Sequence, residues 1–184
     1  GELEEKDGQI SVDVEVTNSG DVAGKDVVEV YYKPPYTNGG IEKSSANLIE
    51  FEKTNLLQPG ESQTVTVTFS IEDMASYDEN NAKAYVLEKG DYVISINSDS
   101  HTVLDQKTYT ADKDVVYKGE NKRASDDTAA TNVFEDAKGD VTYLSRADHF
   151  ANYKEATAEP ASAELGEPYV SEYHLNSNFD KTTY

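Results

Sequence analysis

Residues 56–69, LLQPGESQTVTVTF, set a proline–glycine pair between an apolar run and a strict alternation of valine and threonine. Pro59 presets φ for the second position of a type II turn, and Gly60 accepts the positive φ required at the third. Beyond the turn, Val65, Val67 and Phe69 fall on one face and Thr64, Thr66 and Thr68 on the other. That period of two predicts a half-buried strand. Glu61, at the mouth of this strand, reads as a solvated strand-end residue.

The same period recurs on both sides. QISVDVEVTN puts Ile10, Val12, Val14 and Val16 on one face and closes on the turn formers Asn18, Ser19 and Gly20. KDVVEVYYKPP alternates through Val28, Val30 and Tyr32 until Pro34 and Pro35 stop it. NLIEFEKTNLL follows a Gly- and Ser-rich loop. IEDMASYDEN reads as a short helical turn, KAYVLEKG and DYVISINSD as a hairpin joined at Gly90–Asp91, and HTVLDQKTYT as a last strand. About seven strands at this spacing predict an all-β fold, an immunoglobulin- or fibronectin type III-like antiparallel sandwich. Its expected bounds are residues 9–110, after a lead-in at 1–8. Residues 111–184 read as a long, mostly irregular extension that wraps the sandwich or docks elsewhere. It holds one concentrated patch, TYLSRADHFANY, and carries Pro160 and Pro168 as breakers.

Composition narrows the function classes. Sixteen Lys and Arg stand against 36 Asp and Glu, a net charge of -20, which disfavours nucleic acid and anionic membranes as partners. No apolar run nears the roughly 18 residues that cross a bilayer. The opening GELEEKDGQ has neither the basic nor the apolar region of a signal peptide. With no cysteine, disulfides, thiolate metal sites and a Cys nucleophile are excluded. Acidity and missing cysteine favour a bacterial cytoplasmic setting over a secreted one.

No catalytic constellation stands out. Among 36 acidic residues any carboxylate pair can be drawn, so none is informative. His101, His149 and His174 lack metal-ligand spacing, and no metal or cofactor is expected. DAKGD at 136–140 is a turn and not a calcium loop, and Ser145 lacks the flanks of a hydrolase nucleophile. Thirteen tyrosines raise the question of a sugar-binding face, with Tyr31 and Tyr36 as its candidates, since one of the adjacent Tyr31 and Tyr32 must face away from the core.

Three blocks carry a resemblance. VEVTNSGDVAGKDVVEVYY (14–32), LIEFEKTNLLQPGESQTVTVTFSIEDMASYD (48–78) and LEKGDYVISINSDS (87–100) resemble the fibronectin type III-like domain of glycoside hydrolase family 3, the β-glucosidase family. Asn18, Gly20, Gly24, Phe51, Lys53, Pro59, Gly60, Glu61, Gly90 and Tyr92 are the matching signature positions. Asn97 stands where the family commonly has glycine, and Glu88–Lys89 where it has an acidic–proline pair. DVTYLSRADHFANY resembles the linker of members in which an α/β sandwich comes first and the (β/α)8 barrel last.

The resemblance implies a non-catalytic accessory domain in a retaining glycosidase. Its partners would be the α/β sandwich and barrel of the same polypeptide, and the aspartate nucleophile and the acid–base glutamate would lie on those domains. Glu61 then holds the turn or an interface, while Phe51, Phe134, Tyr143, Leu144, Phe150 and Tyr153 are candidates for interdomain contact. The competing reading is a stand-alone carbohydrate-binding or adhesion module. Sugar binding by the chain itself is not what the resemblance predicts.

Overall fold

The alternating runs fold as their period requires. The computed structural model describes residues 1–159, so His174, Pro160 and Pro168 lie outside it. β1 (Leu3–Lys6), β2 (Gln9–Thr17) and β5 (Ser62–Ser70) form one antiparallel sheet in the order β1-β2-β5. β3 (Val27–Lys33), β4 (Asn47–Lys53), β8 (Gly90–Asn97) and β9 (Val103–Ala111) form a second, ordered β4-β3-β8-β9. Their inward residues meet in one core that includes Ile10, Val12, Val28, Val30, Val67 and Phe69. Each such aliphatic side chain contributes roughly 1.5–3 kcal/mol by leaving water.

A third, small sheet ordered β10-β7-β6 closes one end. It joins β6 (Ser76–Asp78), β7 (Ala84–Leu87) and β10 (Val115–Tyr117), after a 3-10 turn at Ile71–Met74. β1 and β10 therefore lie in the segments read as lead-in and extension, and the strands run past both ends of 9–110. Strands of only three or four residues are too short to show a period, which hid β1, β6 and β10.

The hairpin read across Gly90 is not one. β7 pairs with β6 and β10, whereas β8 pairs with β3 and β9, so the chain changes sheets between Leu87 and Gly90. Gly–Asp is a common turn dipeptide, but here the glycine answers a packing demand. Gly90 has φ +140°, and a Cβ there would stand 3.1 Å from Pro35 Cβ. Tyr92, buried in the core, donates its hydroxyl to the Glu88 carbonyl at 3.1 Å across the corner, the geometry of a tyrosine corner. Burial pushes that phenol far above its ordinary pKa.

Gly90→Ala forces either the Pro35 ring or the corner to move. Urea unfolding of this variant is expected to show a loss of about 1–3 kcal/mol. An unchanged midpoint would contradict this account of the corner.

Candidate interdomain site

Six of the signature positions, Asn18, Gly20, Gly24, Pro59, Gly60 and Glu61, gather at the end of the sandwich where β3 begins, whereas Gly90 lies beside Pro35, past the far end of that strand. Asn18 follows β2, and its backbone accepts from Gly60 N–H at 2.8 Å and donates to the Glu61 carbonyl at 2.9 Å. Its side-chain amide donates to the Val22 and Leu57 carbonyls at 3.0 and 2.9 Å and accepts from Gly20 N–H at 3.0 Å. Gly24 and Leu57 complete the clamp as a two-way backbone bridge. The Pro59–Gly60 turn has Gly60 at φ +79° and closes from Glu61 N–H to the Gln58 carbonyl at 2.9 Å. Glu61 accepts the Gln58 N–H on its carboxylate at 2.7 Å, so it fastens the turn it follows. Phe51 and Lys53 are exposed on the edge strand β4.

The extension lies on the sandwich in two straps. The chain has two arginines, Arg123 and Arg146, and each lies over a tyrosine ring of the β-structure. Arg123 sits 3.9 Å from the Tyr85 centroid on β7 and forks onto Asp126 at 3.0 and 2.9 Å. That fork holds the Asp126 carboxyl below the ordinary range. Around it, Ala124 N–H donates to Glu72, Asn132 N–H to the Tyr77 hydroxyl, and Lys83 and Lys138 pair with Glu135 and Glu79.

The second strap lands on the loop between β3 and β4. Arg146 sits 4.2 Å from the Tyr36 centroid and donates to the Lys43 carbonyl at 3.0 Å. Glu42 receives the Ser145 hydroxyl at 2.6 Å, the Arg146 N–H at 3.0 Å and the Tyr36 hydroxyl at 3.2 Å. Partial burial works to raise its pKa, but these donors outweigh it and hold the carboxyl below its ordinary value. Lys43, buried, anchors the loop from beneath through Glu88 and the Pro35 carbonyl. Asp148, His149 and Phe150 have φ of 49°, 60° and 60°, three successive left-handed residues with side chains. Such a turn costs on the order of 1 kcal/mol or more per residue, so its contacts must supply that. It is followed by the one-turn helix α1 (Tyr153–Ala156).

This placement decides the sugar candidates. Tyr31 does face away from the core, yet it is only 9% exposed and its hydroxyl is spent on Glu29 at 3.0 Å. Tyr36 is covered on its ring by Arg146 and bound at its hydroxyl by Glu42. Tyr31 is thus buried, and Tyr36 has one ring face taken by Arg146 and its hydroxyl by Glu42. His101 and Phe150 share the lining of one cleft, while His149 lines its neighbour, and no cluster among the described residues could hold a metal ion. Ser145 serves as a donor to Glu42. Asp73 is pushed up by burial and by Glu72 beside it, but it stands in the 3-10 turn with Arg123 opposing the shift.

The strap instead presents apolar surface outward. Tyr143, Leu144, Phe150 and Tyr153 are 54%, 44%, 51% and 58% exposed, and Phe134 on the first strap 73%. Sequence reasoning named these five as candidates for contact and did not name the residues that hold the straps, Glu42, Lys43, Arg123 and Arg146. A signal was present: both arginines of an acidic chain fall after residue 111, in the segment with least periodicity.

Asn18→Ala removes three side-chain hydrogen bonds and is expected to lower unfolding stability by about 2 kcal/mol, read in urea. Strap docking at Glu42 should be pH-dependent. A carboxyl held low contributes above its unfolded pKa and loses that contribution as pH falls through the folded value. Acidification should therefore raise protease cleavage within 142–153 before global unfolding, and Glu42→Gln should weaken docking and flatten that pH dependence. Cleavage independent of pH in the unaltered chain would contradict it.

Residues 26–100 match the family described as "Fibronectin type III-like domain". The chain is 41% identical to β-glucosidase A of Butyrivibrio fibrisolvens over 111 residues, 58% of this chain and 13% of that protein. It is 33% identical to a β-glucosidase of Kluyveromyces marxianus over 114 residues, 61% of this chain and 13% of that protein. Among solved structures, β-glucosidase 3B from Thermotoga neapolitana superposes with a TM-score of 0.55 at 33% identity, over 62% of this chain and 16% of that one. A β-glucosidase from Paenibacillus barengoltzii gives 0.56 at 35%, over 62% and 13%. The chain thus spans about an eighth of the curated relatives it matches. Residues 26–100 thus match a fibronectin type III-like domain, and the sandwich is similar to the corresponding part of these β-glucosidases.

Proposed function

We propose that the chain is a non-catalytic accessory domain of a family 3 glycoside hydrolase acting on β-glucosides. In this reading it buttresses the α/β sandwich and the (β/α)8 barrel of its own polypeptide, and the straps carry the chain onward to the barrel. The observation that carries the proposal is the ridge of Tyr143, Leu144, Phe150 and Tyr153, held outward by a docked and locally strained strap. Exposed apolar groups this close together mark a contact surface. A flexible linker would have no need of Glu42, Arg146 and Tyr36 to fix its course.

The chemistry would reside elsewhere. Retaining hydrolysis needs two carboxylates flanking the scissile bond, one as nucleophile and one as acid and base. In this domain Glu42, Asp78 and Asp126 are each held low and each spent on structural donors, Asp78 on the N–H groups of Asn80, Asn81 and Ala82. A bacterial cytoplasmic parent remains part of the proposal, although the relatives include a yeast enzyme as well as bacterial ones.

The purified chain is expected to show no turnover of an aryl β-glucoside, and the coding region around it should encode an α/β domain upstream and a barrel downstream. Turnover by the pure chain, or unrelated modules on both sides, would overturn the proposal.

A further inference from the structure

The sandwich is left open along one side, and the opening has a chemistry of its own. Between the two main sheets runs a groove of about 310 Å³ floored by Leu3, Val12, Val14, Ile94 and Ile96, with the exposed Leu104 at its rim. Val14, Ile96 and Leu3 belong to the core yet are only partly buried, so the groove exposes core and not merely surface. Its cause lies in β9. Directly opposed residues of an antiparallel pair share a face, and Ile96 and Ile94 oppose Asp105 and Lys107. The edge strand therefore turns charge inward at the two positions where aliphatic side chains would have sealed the sandwich. Inward charge on an edge strand also keeps it from pairing with copies of itself.

The rim is acidic. Glu15 and Asp105 line the groove, and the adjoining cleft, which shares Gly1, is lined by Glu2, Glu4 and Asp13. The one lysine in the groove wall, Lys107, is paired across the gap to Glu2 at 3.0 Å. A second copy of this chain, at a charge of -20, would bring like charge to the rim.

We propose that this groove is a docking site for an extended segment of a partner polypeptide whose aliphatic side chains alternate with lysine or arginine. The aliphatic side chains fill the floor left open between Val14, Ile96 and Leu104, and the basic ones meet Glu15 and Asp105 and compete with Lys107 for Glu2. This site lies apart from the strap ridge and stands or falls independently of the glycosidase reading.

The test titrates the isotope-labelled 184-residue chain with an acetylated, amidated peptide of alternating lysine and isoleucine, followed by amide NMR shifts. A peptide with glutamate in place of lysine is the control. Saturable shifts confined to the groove strands, weakened by salt and absent with the glutamate peptide, are expected. Leu104 is 66% exposed, so Leu104→Lys should fold normally and weaken binding by about tenfold. The double reversal Glu15→Lys with Asp105→Lys should reject the lysine peptide and admit the glutamate one. Shifts that never saturate or that scatter over the acidic surface, equal binding of both peptides, or self-association of the chain through the groove would each overturn the proposal.

Discussion

A guanidinium laid on a tyrosine ring, used twice, helps hold the last quarter of the described chain in place. Arg123 lies on Tyr85 and Arg146 on Tyr36, and hydrogen bonds and ion pairs from the same segment, such as Ala124 to Glu72 and Lys138 to Glu79, add to them. Each stacking contact contributes about 0.5–2 kcal/mol, a range set by how far it is desolvated. Each is reinforced by a carboxylate that is itself held low, Asp126 within the first strap and Glu42 on the loop beneath the second. Arginine suits this task where lysine would not, because its flat face covers the ring while its edge remains free to donate. The two anchors let a strongly acidic chain run irregular backbone over an acidic sandwich.

At the other end of the molecule the logic is different. There the backbone of two loops is tied by a single amide, that of Asn18, and by the turn that Glu61 fastens. These residues make the family's signature recognisable, and their work is to close strand ends. That separates the motif from the chemistry of the relatives: what is shared is the scaffold, and the reacting carboxylates belong to other domains in the reading advanced above.

The long strands were legible because each buries one face. Val65, Val67 and Phe69 alternate in the sequence and lie buried in the core, as do Val28, Val30 and Tyr32. The Pro59–Gly60 turn was legible because only glycine takes that φ at no cost. The course of the chain at Gly90 was not, since a dipeptide common in hairpins here serves a close approach to Pro35 that no local pattern reveals. Nor were the straps, whose holding contacts join residues far apart in sequence, such as Ala124 with Glu72, Glu42 with Ser145 and Asn38 with Asp148. The buried Asn97 shows a cost of that same non-local kind. Its side-chain oxygen lies buried with no hydrogen-bond donor among the described residues.

The central claim is that the strap ridge is an interface within a larger enzyme. Hydrogen exchange on the intact parent polypeptide, compared with the isolated chain, tests it most directly. The account predicts strong added protection across residues 142–153 in the parent and little change on β2 and β5. Equal exchange across 142–153 in both would mean that nothing covers the ridge, and would contradict the claim.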